Sequence, residues 1–161
     1  MRALVWISEG SWQVCVDRAR ELVPADAEVT ILHVAASDVE ALAADPGPGR
    51  LGRRRRPPPK GPAVREIAED EARSLLEAAR ARFRRPAQTL ARRGRIEREV
   101  LEAAEDADLL VLVRDGKPRR EPKSFGTATR FVVDHAGCEV LVVWPQPPGG
   151  IESIHWPPHL R

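Results

Sequence analysis

Cysteine, aromatic side chains and long apolar runs are all scarce in this chain, and each scarcity removes a class of explanation. The two cysteines, Cys15 and Cys138, have no metal-ligand or redox spacing, which argues against a metal module or a dithiol motif. Cys15 lies between two valines and Cys138 just precedes an apolar run, so both read as reduced structural residues. No apolar run approaches the ~20 residues of a membrane span. The first apolar stretch, Ala3 to Ile7, is too short for a signal-peptide core and runs straight into Ser8-Glu9-Gly10. The expectation is a cytoplasmic protein with no membrane partner. Aromatic residues make up only 4% of the chain, and none accompanies its arginine cluster as a stacking platform for bases.

What is present fits one soluble domain with a sizeable core: 161 residues, 42% hydrophobic and 31% charged. The net charge of +2 is unevenly spread. Six basic residues and no acids lie in "RLGRRRRPPPK", Arg50 to Lys60; the remainder sets 20 basic residues against 24 acidic. The body is therefore mildly acidic, and one segment supplies the basic character. A cluster such as Arg53–Arg56 can attract phosphate backbones without sequence preference. Against an acidic body it reads first as a solvated loop, and nucleic acid is a disfavoured partner.

Periodicity then gives a repeating strand–helix order. "RALVWI" (Arg2–Ile7) is a nearly continuous apolar run, as expected of a strand buried on both faces. Ser11 is placed to N-cap a helix bearing Cys15, Ala19, Leu22 and Val23 on one face, which Pro24 ends. "EVTILHV" (Glu28–Val34) is a second strand. Residues 47–62, rich in Pro, Gly and Arg, bury too little apolar surface to offset ordering, so a mobile loop is expected. A helix follows from about Val64 to Phe83, with Val64, Ile67, Ala68, Leu75, Ala78 and Ala79 on one face. "AQTLAR" (Ala87–Arg92) is the least apolar strand and is expected at an edge. Gly94 turns the chain into a short helix bearing Ile96, Val100, Leu101 and Ala104. "DLLVLV" (Asp108–Val113) is a strong buried strand. A last helix, about Thr127 to Ala136, carries Ala128, Phe131, Val132 and His135 on one face, and "EVLVVW" (Glu139–Trp144) closes the domain. Residues 145–161 have five prolines and no periodicity, and read as an extended tail.

Five strands alternating with four helices imply an open, mostly parallel α/β sheet with helices on both faces. Ligands of such sheets bind beyond the carboxyl ends of the strands, where the winding reverses. The two most apolar strands, Ala3–Ile7 and Leu109–Val113, are the natural central pair. Their carboxyl ends bring Ser8–Gly10 beside Arg114–Gly116, and with them the loop "GKPRREPKSFGT".

That loop and its flanks resemble the universal stress protein family. The family's pattern is a glycine, two residues, a second glycine, nine residues, then Gly-Ser or Gly-Thr; here Gly116 and Gly126 enclose nine residues and Thr127 follows. "GTATRFVVDHAGCEVLVV", "ILHVA" and "GRIEREVLEAAEDADLLVLV" extend the resemblance over residues 1–144, apart from the arginine-rich segment. It implies a Rossmann-like stress-response domain that binds ATP or ADP. Phosphates would fall on Gly116, Gly126, Thr127 and Thr129, and adenine and ribose near Ser8 and Val34. The chemistry is sound: glycines admit a phosphate to the backbone, helix N-terminal amides face it, and hydroxyls donate further bonds. Two positions depart from the pattern. Val113 stands at the first glycine, where positive φ and close approach are expected, and Ser8 stands at an aspartate. Weak binding follows. Gly116, Gly126 and Thr127 serve equally well as turn glycines and a helix N-cap.

Catalysis has little support in these residues. Ser124 lacks a G-x-S-x-G elbow. His33 and His135 read as structural, and His155 and His159 have no metal-ligand spacing on a rigid element. No catalytic residue and no metal is expected, with room only for slow ATP hydrolysis by a nucleotide-bound switch. A third reading is a dimeric interaction module that needs no nucleotide. The strand Glu139–Trp144 has no charge within "VLVVW" and would aggregate if left as a bare edge. Pairing with a second copy covers it, and members of the resembled family commonly associate this way.

Overall fold

The computed structural model describes residues 1–36, 62–114 and 125–145, with the side chains of its long helix described from residue 66 onward. Arg53–Arg56, Gly116, Ser124, His155, His159 and nearly all of the expected loop and tail lie outside the described residues. Five strands and four helices are described: β1 (Arg2–Ile7), α1 (Trp12–Leu22), β2 (Glu28–Ala36), α2 (Pro62–Phe83), β3 (Gln88–Gly94), α3 (Ile96–Ala104), β4 (Leu109–Val113), α4 (Thr127–His135) and β5 (Glu139–Val143).

The strands form one parallel sheet in the order β3-β2-β1-β4-β5. The two most apolar strands are the central neighbours, with Leu4 beside Leu110 and Trp6 beside Leu112. β3 lies at an edge, as its weak apolar content implies, and β5 lies at the other. Winding runs outward from β1 to β2 and β3, then returns to β4 and β5, so direction reverses between β1 and β4. In an α/β sheet that junction is where the loops part and leave room.

Alternation along the strands feeds two cores. Ala3, Val5, Ile7, Val29, Ile31 and Val111 meet α1 and α2 through Val16, Ala19, Leu76 and Phe83. Leu4, Leu32, Leu110 and Leu112 meet α3 and α4 through Val100 and Val132. The helices turn differently from the sequence expectation. α1 buries Cys15, Val16 and Ala19, while Leu22 is 50% exposed. α2 anchors through Ala72, Leu76, Ala79 and Phe83, whereas Ile67 is 59% exposed and Ala78 is exposed. A helix of 22 residues spans about 33 Å, longer than the strands beneath it. α4 buries Thr129 and Val132; Phe131 and His135 instead stack on each other, ring centroids 4.1 Å apart, and Phe131 is exposed.

Helix ends differ too. Ser11 occupies the N-cap position of α1 without a side-chain capping bond, because its hydroxyl lies 3.1 Å from that of Ser8. Gly94 is the last residue of β3 rather than a turn, and Arg95 is the N-cap of α3. α2 ends on Arg84 in the left-handed region, φ 58°, a place glycine usually takes. The next residue, Arg85, lays its guanidinium over the Phe83 ring at 4.7 Å and donates to the carbonyls of Val23 and Pro24.

Candidate functional site

At the reversal between β1 and β4 the sheet opens into a cavity of about 100 Å³. β1 supplies Trp6, Ile7 and the following Ser8; β2 supplies Val34 and β4 supplies Val113. Ile96 of α3 and Ala128 and Thr129 of α4 close it. Parallel register explains the gathering: Trp6 pairs with both Leu32 and Leu112, which sets Ser8, Val34 and Val113 close together just beyond, and α3 and α4 begin over that rim.

Of the residues expected to hold a nucleotide, Ser8, Val34 and Thr129 thus line one cavity. Gly126 and Thr127 stand immediately before the two α4 residues in its wall, Gly126 as N-cap and Thr127 as first helical residue. Gly116 lies outside the described residues. Thr129 is 2% exposed, an unusual place for a hydroxyl on the buried face of a helix. Ser8 is exposed and belongs to the turn into α1, where the Ser11 amide donates to its carbonyl at 3.2 Å. Glu9 is exposed and is not among the lining residues.

Val113 needs a correction. The resemblance implies a glycine with positive φ at this position, but Val113 is the last residue of β4, paired with Val143. Among the described residues only Arg84 combines a side chain with positive φ. The valine is therefore unstrained, and what it brings to the site is bulk. It is 8% exposed, packs into the α1/α2 core and lines the edge of the cavity.

Sequence reasoning missed Trp6, Ile7, Ile96 and Ala128. Trp6 had a signal: two residues before Ser8 in an extended strand, it shares the Ser8 side by alternation. Ile96 and Ala128 look like ordinary helix-face residues, and only the tertiary arrangement turns them to the rim.

Electrostatics are compatible with an anion. α1 and α4 both begin at this end of the sheet, and neither carries an acid in its first turn. Their amide ends keep an unopposed partial positive charge. Just outside, the Arg114 guanidinium lies 4.0 Å above the Trp144 ring. His33 sits on the other face of the sheet, buried, its Nδ1 3.4 Å from the Ile7 carbonyl. No group of three or more His, Cys, Asp or Glu that could hold a metal occurs among the described residues. No helix among them is long and apolar enough to cross a membrane.

No family model matches the sequence, and no curated protein matches it. Solved structures do match. UspA, a universal stress protein from Lactobacillus plantarum, superposes with a TM-score of 0.52 at 20% identity, over 89% of this chain and 97% of its own. The chain has the universal stress protein fold. A universal stress protein in complex with cAMP gives 0.57 at 19% identity, covering 91% and 98%. A universal stress protein family protein from Arabidopsis thaliana with AMP bound gives 0.56 at 15% identity, covering 93% and 97%. Identities this low carry the universal stress protein fold across, and the chemistry of the site must be argued from its own residues.

Proposed function

We propose that this chain is a non-catalytic stress-response module that binds an adenine nucleotide weakly, at the carboxyl ends of β1 and β4. One observation carries the reading: Ser8, Val34 and Thr129, far apart in sequence, share a single cavity at the winding reversal. The α4 N-terminus beside it, opened by Gly126 and Thr127, offers amides and a hydroxyl to a phosphate. Structures of this fold have been solved with cAMP and with AMP bound. Weakness follows from size. A cavity of about 100 Å³ is well below the roughly 300 Å³ at which small-molecule sites begin, and Val113 occupies part of the rim. No residue of the site is assigned a catalytic role. The reduced cysteines Cys15 and Cys138 suit the cytoplasm.

The test is calorimetry with ATP on the parent and on a Val113→Gly, Ser8→Asp double variant. Removing the isopropyl group opens the approach to backbone amides, and each charge-assisted bond regained contributes about 1.5–3 kcal/mol. The variant should bind roughly tenfold more tightly or better. It should also lose stability, by about 2–4 kcal/mol, since a packed valine becomes glycine in a strand. A parent that binds at low micromolar concentration, or a variant that gains nothing, sinks the steric argument. Mass spectrometry of the supernatant from denatured protein asks independently whether a nucleotide is carried through purification.

A second reading, a homodimer that functions without nucleotide, is favoured by the β5 edge. Val140, Leu141 and Val142 are each half-buried with no charge between them, and Trp144 beyond is 44% exposed. The opposite edge, β3, carries Arg92 and Arg93, the kind of residue that discourages pairing. Light scattering at micromolar concentration should give the mass of a dimer; a monomer mass rejects pairing through β5.

A further inference from the structure

The strand register continues one row beyond the candidate site. A step past the pairs Ile7–His33 and Val113–Val143, and two past Trp6–Leu112, it sets Val34, Ser8, Arg114 and Trp144 level across four strands. Val113 and Val143 pack into the α1/α2 core, so alternation turns Arg114 and Trp144 to the other side of the sheet. α4 lies on that side, since its Val132 belongs to the α3/α4 core. It also begins at this end, where its second and third residues, Ala128 and Thr129, line the cavity.

Arg114 is held by its face and not by its edge. Its amide donates to the Val143 carbonyl at 2.9 Å, which ties the residue to β5. Its guanidinium lies 4.0 Å above the Trp144 ring. Stacking engages the flat of the cation and leaves the N–H groups around its rim unengaged. None of those groups has an acceptor among the described residues. Arg92, which carries the same row onto β3, is already held by Glu99 at 3.5 Å and Glu102 at 4.0 Å. The first turn of α4 has no acid to oppose an anion beside Arg114.

We propose that Arg114 is the side chain that recognises phosphate at the candidate site, an assignment that rests on the nucleotide reading of the cavity. Trp144 is its positioning residue, keeping the guanidinium spread and its rim outward. The small, largely apolar cavity receives the nucleoside end of the ligand, and Arg114 meets the phosphate just outside it. A planar fork matches two phosphate oxygens at once, which an ammonium cannot do. Affinity at this site should therefore depend on the phosphate more than on the base.

The experiment titrates ATP, adenosine and tripolyphosphate separately into full-length protein labelled with 5-fluorotryptophan. Fluorine resonances report where each binds, those of Trp6 and Trp144 being assigned by single Phe substitutions, and calorimetry reports affinity. ATP should shift both resonances and bind about tenfold more tightly than adenosine. Arg114→Gln should erase that preference, weakening ATP about tenfold and leaving adenosine unchanged. Arg114→Lys, which keeps the charge and loses the fork, should fall between. Trp144→Leu should weaken ATP about threefold without touching adenosine, and Trp144→Phe, which keeps a ring, should not. Tripolyphosphate should shift Trp144 but bind more weakly than ATP. A free phosphate chain that binds as tightly as ATP, with Trp6 silent throughout, would keep Arg114 as a phosphate site and reject the nucleotide reading. ATP that shifts Trp6 with affinity unchanged in Arg114→Gln would leave the nucleotide reading standing and overturn this one. No response of Trp144 to either phosphate compound overturns it as well.

Discussion

α1 and α2 cover one face of the sheet and α3 and α4 the other, and the two coverings are finished differently. Beneath α1 and α2, the side chains of Val5, Ile7, Val16, Ile31, Phe83 and Val111 are sealed from water. Beneath α3 and α4 the centre is as tight, at Leu32, Val100, Leu110 and Val132. Both ends are open, however: Trp6 and Thr129 line the cavity at the carboxyl end, and Thr30 and Gln88 the other, at the amino end. Helix length explains the difference. α1 and α2 have 11 and 22 residues, while α3 and α4 have nine each and cannot span the strands they cover. One face is sealed, and the other leaves open space at both ends of the sheet.

The sharpest probe of that contrast is the pair of cysteines, one on each face. Cys15 is sealed in the α1/α2 core, its thiol donating to the Trp6 carbonyl at 3.5 Å. Burial pushes its pKa up to about 12. Cys138 packs against the α3/α4 core but is only half-buried, and partial burial raises its thiol less decisively. A thiol reagent at pH 8 should modify Cys138 in the native protein and reach Cys15 only when the molecule opens. For a domain of ordinary stability that separates the rates by about a thousandfold or more. Both raised values make labelling faster as pH rises, because the thiolate is the nucleophile. Equal rates would mean that the α1/α2 face is no better sealed than the other.

The next probe places the same substitution on both faces. Ala79→Leu inserts three carbons where α2 meets the sheet with no accessible surface left. Overpacking of this kind costs about 1–3 kcal/mol. Ala103→Leu adds the same carbons beside the open amino-end cavity and should stay within about 0.5 kcal/mol of the parent. Denaturant unfolding of the two variants measures the difference. Comparable losses would show that α3 is packed as closely as α2.

The sequence made the sheet legible because apolar runs and their order are local signals. Nearly continuous apolar runs marked β1, β4 and β5, and the polar "AQTLAR" marked an edge. Helix orientation was not local in that sense. In α4, the face from Ala128 to His135 and the face from Thr129 to Val132 are equally apolar on paper. Tertiary packing chose the one that buries Thr129 and leaves Phe131 stacked on His135. In α2, Ile67 sits on the apolar stripe and is exposed all the same. Site residues followed the same division. Ser8, Val34 and Thr129 were reachable through strand ends and a resemblance, while Ile96 and the whole amino-end cavity depend on how far a helix extends. The geometry at Val113 was misjudged because a glycine in a pattern says that space is needed, and strand pairing decided the φ angle.

The smallest effect is expected from the ion pair that clasps the sealed face from outside. Arg82 at the end of α2 grips Asp17 of α1 with two bonds, Nε to Oδ1 at 2.9 Å and Nη2 to Oδ2 at 2.6 Å. Its carbonyl also accepts from Arg20. The Arg82 hydrogen bond holds the Asp17 carboxyl below its ordinary value of 3.8. The native carboxylate therefore takes up a proton at lower pH than the unfolded one. Between the two values the unfolded chain binds more protons, so the clasp's contribution is complete above 3.8 and lost as pH falls through the native value. Both side chains remain partly exposed, so solvent and salt screen the pair and its contribution stays small beside that of packing. Asp17→Asn should accordingly unfold slightly earlier than the parent at pH 7. That gap should narrow in high salt and shrink as pH falls below 3.8. A gap that neither salt nor acid narrows would mean that Asp17 acts through packing, and that the two helices on this face are locked by contact alone.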